Sequence, residues 1–278
     1  MPTRRKATAS TAGILRPDLL VRHISIERTL GAADLATWVE YHWTLHWDLP
    51  PDTVIQSAVV PGPACHISVE HGAARPAAAG ETVVVTGVTT RRFDTAVSSR
   101  GWVHGVKMRP GGLAAFARTD IRRLTDRTVP AADVLGCSVS DALHLIAADT
   151  CPAEATLMVE EALRPHVPDD PDPSYDLVLR LVADMLGDRS LLRVDELANR
   201  HHLSRRTIER LFVRYVEVGP KWVLARYRMH DIVSALDDGY DGSLADLAYK
   251  YGWYDQAHFG RDFTALVGVA PSRYCSRK

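Results

Sequence analysis

Residues 194–201 read VDELANRH and residues 244–251 read LADLAYKY, and both stretches space their apolar side chains alike. Val194, Leu197, Ala198 and His201 fall at i, i+3, i+4 and i+7; Leu244, Leu247, Ala248 and Tyr251 repeat the pattern fifty residues on. That period is the buried stripe of a short helix. A second stripe follows each: Ile208, Leu211, Phe212 and Tyr215 in the first copy, Phe259, Phe263, Leu266 and Val267 in the second. Pro220 and Pro271, fifty-one residues apart, come next. Between the copies, Trp222, Ala225, Met229, Ile232, Val233 and Leu236 mark one face of a longer helix ending near Asp238-Gly239. The turn residues agree. Ser204 is placed to cap the second helix of copy one, Ser243 with Asp246 resembles a capping box, and Gly252 sits where a positive φ is needed. The sequence predicts two helix–turn–helix units, 194–215 and 244–267, joined by a rigid helix over 221–237.

Outside the repeat the chain has ordinary globular character. Of 278 residues 46% are hydrophobic and 24% charged, which excludes disordered, collagen-like and coiled-coil classes. Cysteines at 65, 137, 151 and 275 show no paired spacing, which suits a reducing, cytoplasmic setting rather than a disulfide scaffold. No run of eighteen apolar residues occurs, so no membrane partner is expected. Residues 1–20 read as a flexible basic tail without the apolar block of a signal peptide. The Pro- and Asp-rich stretch 165–173 breaks both helix and sheet and reads as a linker. It divides an N-terminal domain, 21–164, from a C-terminal one, 174–278. The net charge of −1 gives no gross argument for a polyanionic partner, although the C-terminal part is slightly basic.

The N-terminal part has strand texture. Short β-branched and aromatic runs at Trp43–Trp47, Val54–Val60, His66–Glu70, Thr82–Thr86 and Trp102–Met108 are separated by Gly, Pro or Asp. Helical patterns follow at Leu113–Arg118, Ser140–Ala148 and Ala153–Leu163. The fold class expected is α+β: a small barrel or sandwich with flanking helices, then an all-helical domain.

The residues from Leu191 to Tyr274 resemble the DNA-binding region of the AraC/XylS family of bacterial transcription regulators. His258-Phe259-Gly260-Arg261-Asp262-Phe263 and Gly268-Val269-Ala270-Pro271-Ser272-Arg273-Tyr274 carry the likeness best, supported by Ile208-Glu209-Arg210-Leu211-Phe212 and Pro220-Lys221-Trp222 in copy one. Glu217 departs from the pattern, standing where the family has glycine. The stretch Gly87 to Gly136 resembles the N-terminal domain of an actinobacterial subset, through Gly87-Val88-Thr89-Thr90-Arg91-Arg92-Phe93 and Gly105-Val106-Lys107-Met108-Arg109-Pro110-Gly111-Gly112. The resemblance implies a sequence-specific regulator of double-stranded DNA whose first half senses a small molecule or dimerises, with RNA polymerase as a further partner.

Within each unit the second helix enters the major groove by its N-terminal end. The outer positions there are Arg205, Arg206, Glu209 and Arg210 in copy one, and Gln256, Ala257, His258 and Arg261 in copy two. Arginine suits guanine, glutamine suits adenine, and Glu209 suits cytosine or simply pairs with Arg205. Phosphate contacts are expected from Ser204, Lys221, Arg228, Lys250 and Arg273. In the first half, Trp38, Tyr41, Trp43, Trp47, His66, Trp102, His104 and Arg109 are candidates for an effector pocket; the alternative is a packed strand face. His42 and His46 would lie about 13 Å apart on a strand, so no metal site is expected. No catalytic motif or cofactor signature appears, and an enzyme is not expected. Two alternatives remain: a ligand-independent regulator whose first half only forms a homodimer, and a DNA-tethered enzyme with Cys65 or Cys137 as nucleophile.

Overall fold

The computed structural model describes residues 14–15, 23–72, 80–170 and 172–275. Within them the first half is a two-sheet sandwich, and every strand pairing is antiparallel. The smaller sheet holds β1 (Ile14–Leu15), β4 (Val54–Val59) and β7 (Phe93–Ser98). The larger holds, in spatial order, β2 (Ile24–Thr29), β3 (Val39–Asp48), β8 (Arg100–Met108), β5 (His66–His71), β6 (Val83–Thr86) and β9 (Thr128–Pro130). Helices α1 (Ala131–Leu135), α2 (Cys137–His144) and α3 (Pro152–Leu163) cover one face of the larger sheet, touching β6 and β8.

The five expected strands appear as β3, β4, β5, β6 and β8. β1, β2, β7 and β9 are additional; ISIERT and FDTAVS of β2 and β7 put polar or charged residues at half or more of their positions, which hides their buried face in sequence. The helix expected over Leu113–Arg118 is a 3-10 turn at Gly112–Ala115, because the Arg118 amide bonds to the Val134 carbonyl instead. Of the expected tail, residues 1–13 and 16–20 lie outside the described residues, whereas Ile14 and Leu15 pair with Val59 and Ala58.

Register explains two glycines. Trp43 lies opposite Gly105 and Trp47 opposite Gly101 across the β3–β8 pair. Both indoles fold over the neighbouring strand, so that a Cβ at Gly105 would meet Trp43 at 2.1 Å and one at Gly101 would meet Trp47 at 2.0 Å. The glycines are the sockets in which the tryptophans lie. On the other face of β3, His42 and Thr44 are buried beneath α3, where Glu160 sits 3.4 Å from His42.

The second half is entirely helical, as expected. After Asp172, whose carboxylate caps Ser174 and Tyr175, come α4 (Pro173–Gly187), α5 (Val194–Arg200), α6 (Arg205–Tyr215), α7 (Pro220–Asp237), α8 (Leu244–Lys250), α9 (Gln256–Val267) and α10 (Pro271–Cys275). Two helix–turn–helix units, α5–α6 and α8–α9, flank the long α7. The repeat extends to the backbone: His202 and Gly252 take positive φ in the turns, and so do Glu217 and Gly268 after the recognition helices.

Replacing Gly105 with alanine should force Trp43 out of its socket and cost about 1–3 kcal/mol, as overpacking does. Gly62→Ala, where the added carbon meets nothing within 4 Å, is the control. Urea unfolding of both variants checks this; equal midpoints would show that the indole yields freely.

Candidate functional site

The start of α6 is set by Ser204, whose hydroxyl accepts the Thr207 amide at 3.1 Å. Ile208, Leu211, Phe212 and Tyr215 turn inward and are buried, leaving Arg205, Arg206 and Arg210 exposed. Arg205 is engaged, with Nε 2.8 Å from Glu209 and a further approach to Asp195 at 3.8 Å. Among the described residues Arg206 and Arg210 have no ion-pair partner. They are one turn apart and project together.

At the second unit Asp255 caps α9 by accepting the His258 amide at 2.7 Å. Gln256, Ala257, His258 and Arg261 are exposed. His258 Nε2 rests 3.3 Å from Asp262, which also accepts the Trp253 indole N–H at 2.9 Å. Two aromatics that sequence reasoning missed stand here: Tyr254, 95% exposed just before α9, and Tyr249, 81% exposed on α8. Both lie off the apolar stripe, which was the available signal. A phenol so placed can donate to a phosphate oxygen.

Of the expected phosphate contacts, Lys221, Lys250 and Arg273 are exposed, and Ser204 is exposed but engaged as a cap. Arg228 is placed differently from these: its guanidinium turns inward, over the Trp253 ring and onto the Tyr251 carbonyl at 3.1 Å, at the C-terminal end of α8.

The recognition helices are anchored at their far ends to the first half. Glu217, directly after α6, adopts φ 69° and sends its carboxyl across the interface. It accepts the Cys65 thiol at 2.8 Å and the Thr125 hydroxyl at 3.3 Å. Burial raises the Glu217 pKa to about 7. Burial, reinforced by the neighbouring Glu217, also pushes the Cys65 thiol up, so it stays protonated and donates. Tyr215 donates to Asp172 at 2.5 Å, and Tyr175 donates to the Thr37 carbonyl at 3.0 Å.

Between the two sheets lies a cavity of about 1080 Å³. Ile26, Trp43, Leu45, Val59, Phe93 and Val103 supply apolar walls from the sandwich, while Leu179 and Val182 of α4 and Tyr227 and His230 of α7 close it from the other half. The charged side chains of the wall are engaged. Lys107 pairs with Glu40 at 3.0 Å and Arg189 with Asp231 at 2.9 Å. Arg109 bonds the Ala36 carbonyl, Arg28 covers the Tyr41 ring, and Glu70 accepts from Ser68. Burial lowers the His230 pKa to about 4, so it is neutral near pH 7.

Of the candidate pocket residues, Tyr41, Trp43, Trp47, His66 and Arg109 reach this cavity. Trp38, Trp102 and His104 do not. Trp38 precedes β3, with its amide on the Leu35 carbonyl, and packs edge-on against Phe116, whereas strand alternation puts Trp102 and His104, stacked on one another, on the opposite face of β8. Burial depresses the His104 pKa to about 3, leaving it a neutral partner of Thr44. Among the described residues no group of three or more His, Cys, Asp or Glu is arranged to hold a metal ion, and no helix is long and apolar enough to cross a membrane.

Two helix–turn–helix units carried on one long helix define the architecture of the second half, and comparisons with known proteins match both halves of the chain. Residues 197–277 match the model of a helix-turn-helix domain, and residues 27–130 match a domain of unknown function (DUF6597). The C-terminal part of the chain is thus similar to a known helix-turn-helix domain, and the N-terminal part to a domain whose function is not known. No curated protein matches the chain. Among solved structures, the C-terminal domain of the response regulator AraT from Geobacillus stearothermophilus is similar over 38% of this chain and 87% of its own, with 19% identity and a TM-score of 0.34. ToxT from Vibrio cholerae is similar over 91% of this chain and 97% of its own, with 12% identity and a TM-score of 0.38. An AraC-type regulator from Chromobacterium violaceum matches over 37% of this chain and 95% of its own, at 18% identity and a TM-score of 0.32. Likenesses this distant place no side chain.

Two outcomes test the geometry. Arg206→Ala should relax discrimination at one base pair by about 1–3 kcal/mol, whereas Arg205→Ala, whose side chain is already paired, should change it little; anisotropy titration against single-base variants of a bound duplex decides, and equal losses on every sequence would reassign Arg206 to phosphate. Glu217 supplies a pH test. A carboxyl whose pKa is raised by folding contributes fully below the ordinary carboxylate range and loses that contribution as pH rises through about 7. Glu217→Gln should therefore gain about 1–2 kcal/mol on wild type between about pH 5 and pH 8, seen as a Tm difference that moves with pH. A gap constant with pH would mean that the carboxyl is solvated.

Proposed function

We propose that this protein is a ligand-controlled transcription regulator in which residues 21–164 sense an uncharged, largely apolar small molecule, 165–173 link the halves, and 174–278 read duplex DNA. Arg206 and Arg210 on α6, and Gln256, Ala257 and Arg261 on α9, face the base edges; Glu209, Arg205 and His258 support them, and Lys221, Lys250 and Arg273 meet phosphates. The observation that carries this reading is the shared wall of the cavity: a molecule held against Trp43 and Leu45 also touches α4 and α7 of the DNA-reading half. A ligand that prefers one arrangement of those walls shifts the population toward it. Its class follows from the wall, where the fixed charges are already engaged and the remaining surface is aliphatic and aromatic.

The test uses an uncharged apolar dye, N-phenyl-1-naphthylamine, with the full chain. Its fluorescence should rise with saturation, and Leu45→Trp, which fills the cavity, should weaken binding about tenfold or more. In parallel, anisotropy should favour a duplex from upstream of the protein's own gene over a scrambled one by about a thousandfold. Dye binding that ignores Leu45→Trp would place the ligand elsewhere, and equal affinity for both duplexes would remove sequence-specific reading.

A further inference from the structure

The segment 87–92 crosses from β6 of the larger sheet to β7 of the smaller one, closing one end of the cavity. Thr86, Thr89 and Phe93 belong to the cavity wall. On alternate residues the same strap holds the DNA-reading half at three places. The Val88 amide bonds the carboxyl of Glu217, which follows the first recognition helix. The Thr90 carbonyl accepts Arg226 of α7 at 2.5 Å. Arg92 Nη1 donates at 3.0 Å to the carbonyl of Val267, the last residue of the second recognition helix. Gly268 makes the last contact possible twice over: it takes φ 85°, and a Cβ there would lie on the Arg92 guanidinium. Asp126 fixes the strap from its own side, accepting both the amide and the hydroxyl of Thr90 at 2.6 and 2.5 Å.

We infer that the strap 87–92 is a positioning element that sets the spacing between the two recognition helices, and that it transmits the state of the cavity to that spacing. The helices read a duplex jointly only if their separation matches the groove repeat. One segment bonded behind both, and spanning the two sheets that enclose the cavity, is displaced when those sheets separate. Arg92 is the key positioning residue, because it makes the bond to the second recognition helix. The inference rests on the cavity being the effector site.

The experiment selects duplexes from a random library with the full chain, then inserts two base pairs between the selected half-motifs. For wild type the insertion should cost about tenfold or more in affinity, whereas Arg92→Ala should prefer the same half-motifs with the penalty reduced to about threefold or less. Simple destabilisation would instead weaken every spacing alike, and Arg92→Lys, which keeps a donor, should restore part of the penalty. Saturating the chain with N-phenyl-1-naphthylamine should change the wild-type penalty about fivefold and leave that of Arg92→Ala unmoved. An unchanged penalty in Arg92→Ala overturns the inference, and so does bound dye that leaves the wild-type penalty where it was. A wild-type site with a single half-motif would refute paired reading itself, and absence of dye binding would count against the effector reading alone.

Discussion

Burial of the first helix–turn–helix unit against the sandwich is the constraint from which the rest follows, because Ile208, Leu211 and Phe212 close the same apolar core as Val69, Leu113 and Leu163. Each such side chain contributes roughly 1.5–3 kcal/mol by leaving water, far more than a surface polar contact. The unit therefore holds its place through packing, and the polar contacts around it serve orientation. Glu217 illustrates this: a left-handed backbone is costly for a residue with a Cβ, yet the carboxyl it delivers finds two hydroxyl- or thiol-type donors inside the interface.

The second unit is built differently. Met229, Ile232, Val233 and Leu236 pack with Leu247, Phe259 and Phe263 in a separate core that meets the sandwich at Val60. Helix α7 threads both cores, contributing Val223 and Leu224 to one and its later residues to the other. Arg226, buried between them, loses some basicity to desolvation, with its pKa down to about 10, but remains charged near neutrality. Two copies that match in sequence thus differ in what supports them.

Local periodicity made the helical half legible: stripes at i, i+3, i+4 and i+7 marked α5, α6 and α8, one at i, i+4, i+7 and i+8 marked α9, and an apolar face between the copies marked α7. The strands with continuous apolar runs were legible for the same reason. What remained hidden depends on contacts between distant segments. Nothing near Glu217 in sequence announces Cys65, 152 residues away, and nothing near Trp43 announces Gly105 until the β3–β8 register is known. The aromatic cluster of β3 was visible as a set, but that one of its faces lines a cavity while the other is covered depends on the smaller sheet and on α3, both distant in sequence. On the recognition helices the alternation of buried and exposed positions could be read directly, whereas the inward turn of Arg228 could not.

The continuity of the larger core, from Leu35 to Leu224, also sets an order of events during synthesis. A ribosome releases the sandwich long before the helices that complete its interior, so the young chain waits with Leu113, Phe116 and Ile121 short of their final neighbours. Domains that close on their own escape this interval; a chain whose interior is finished by its last third does not.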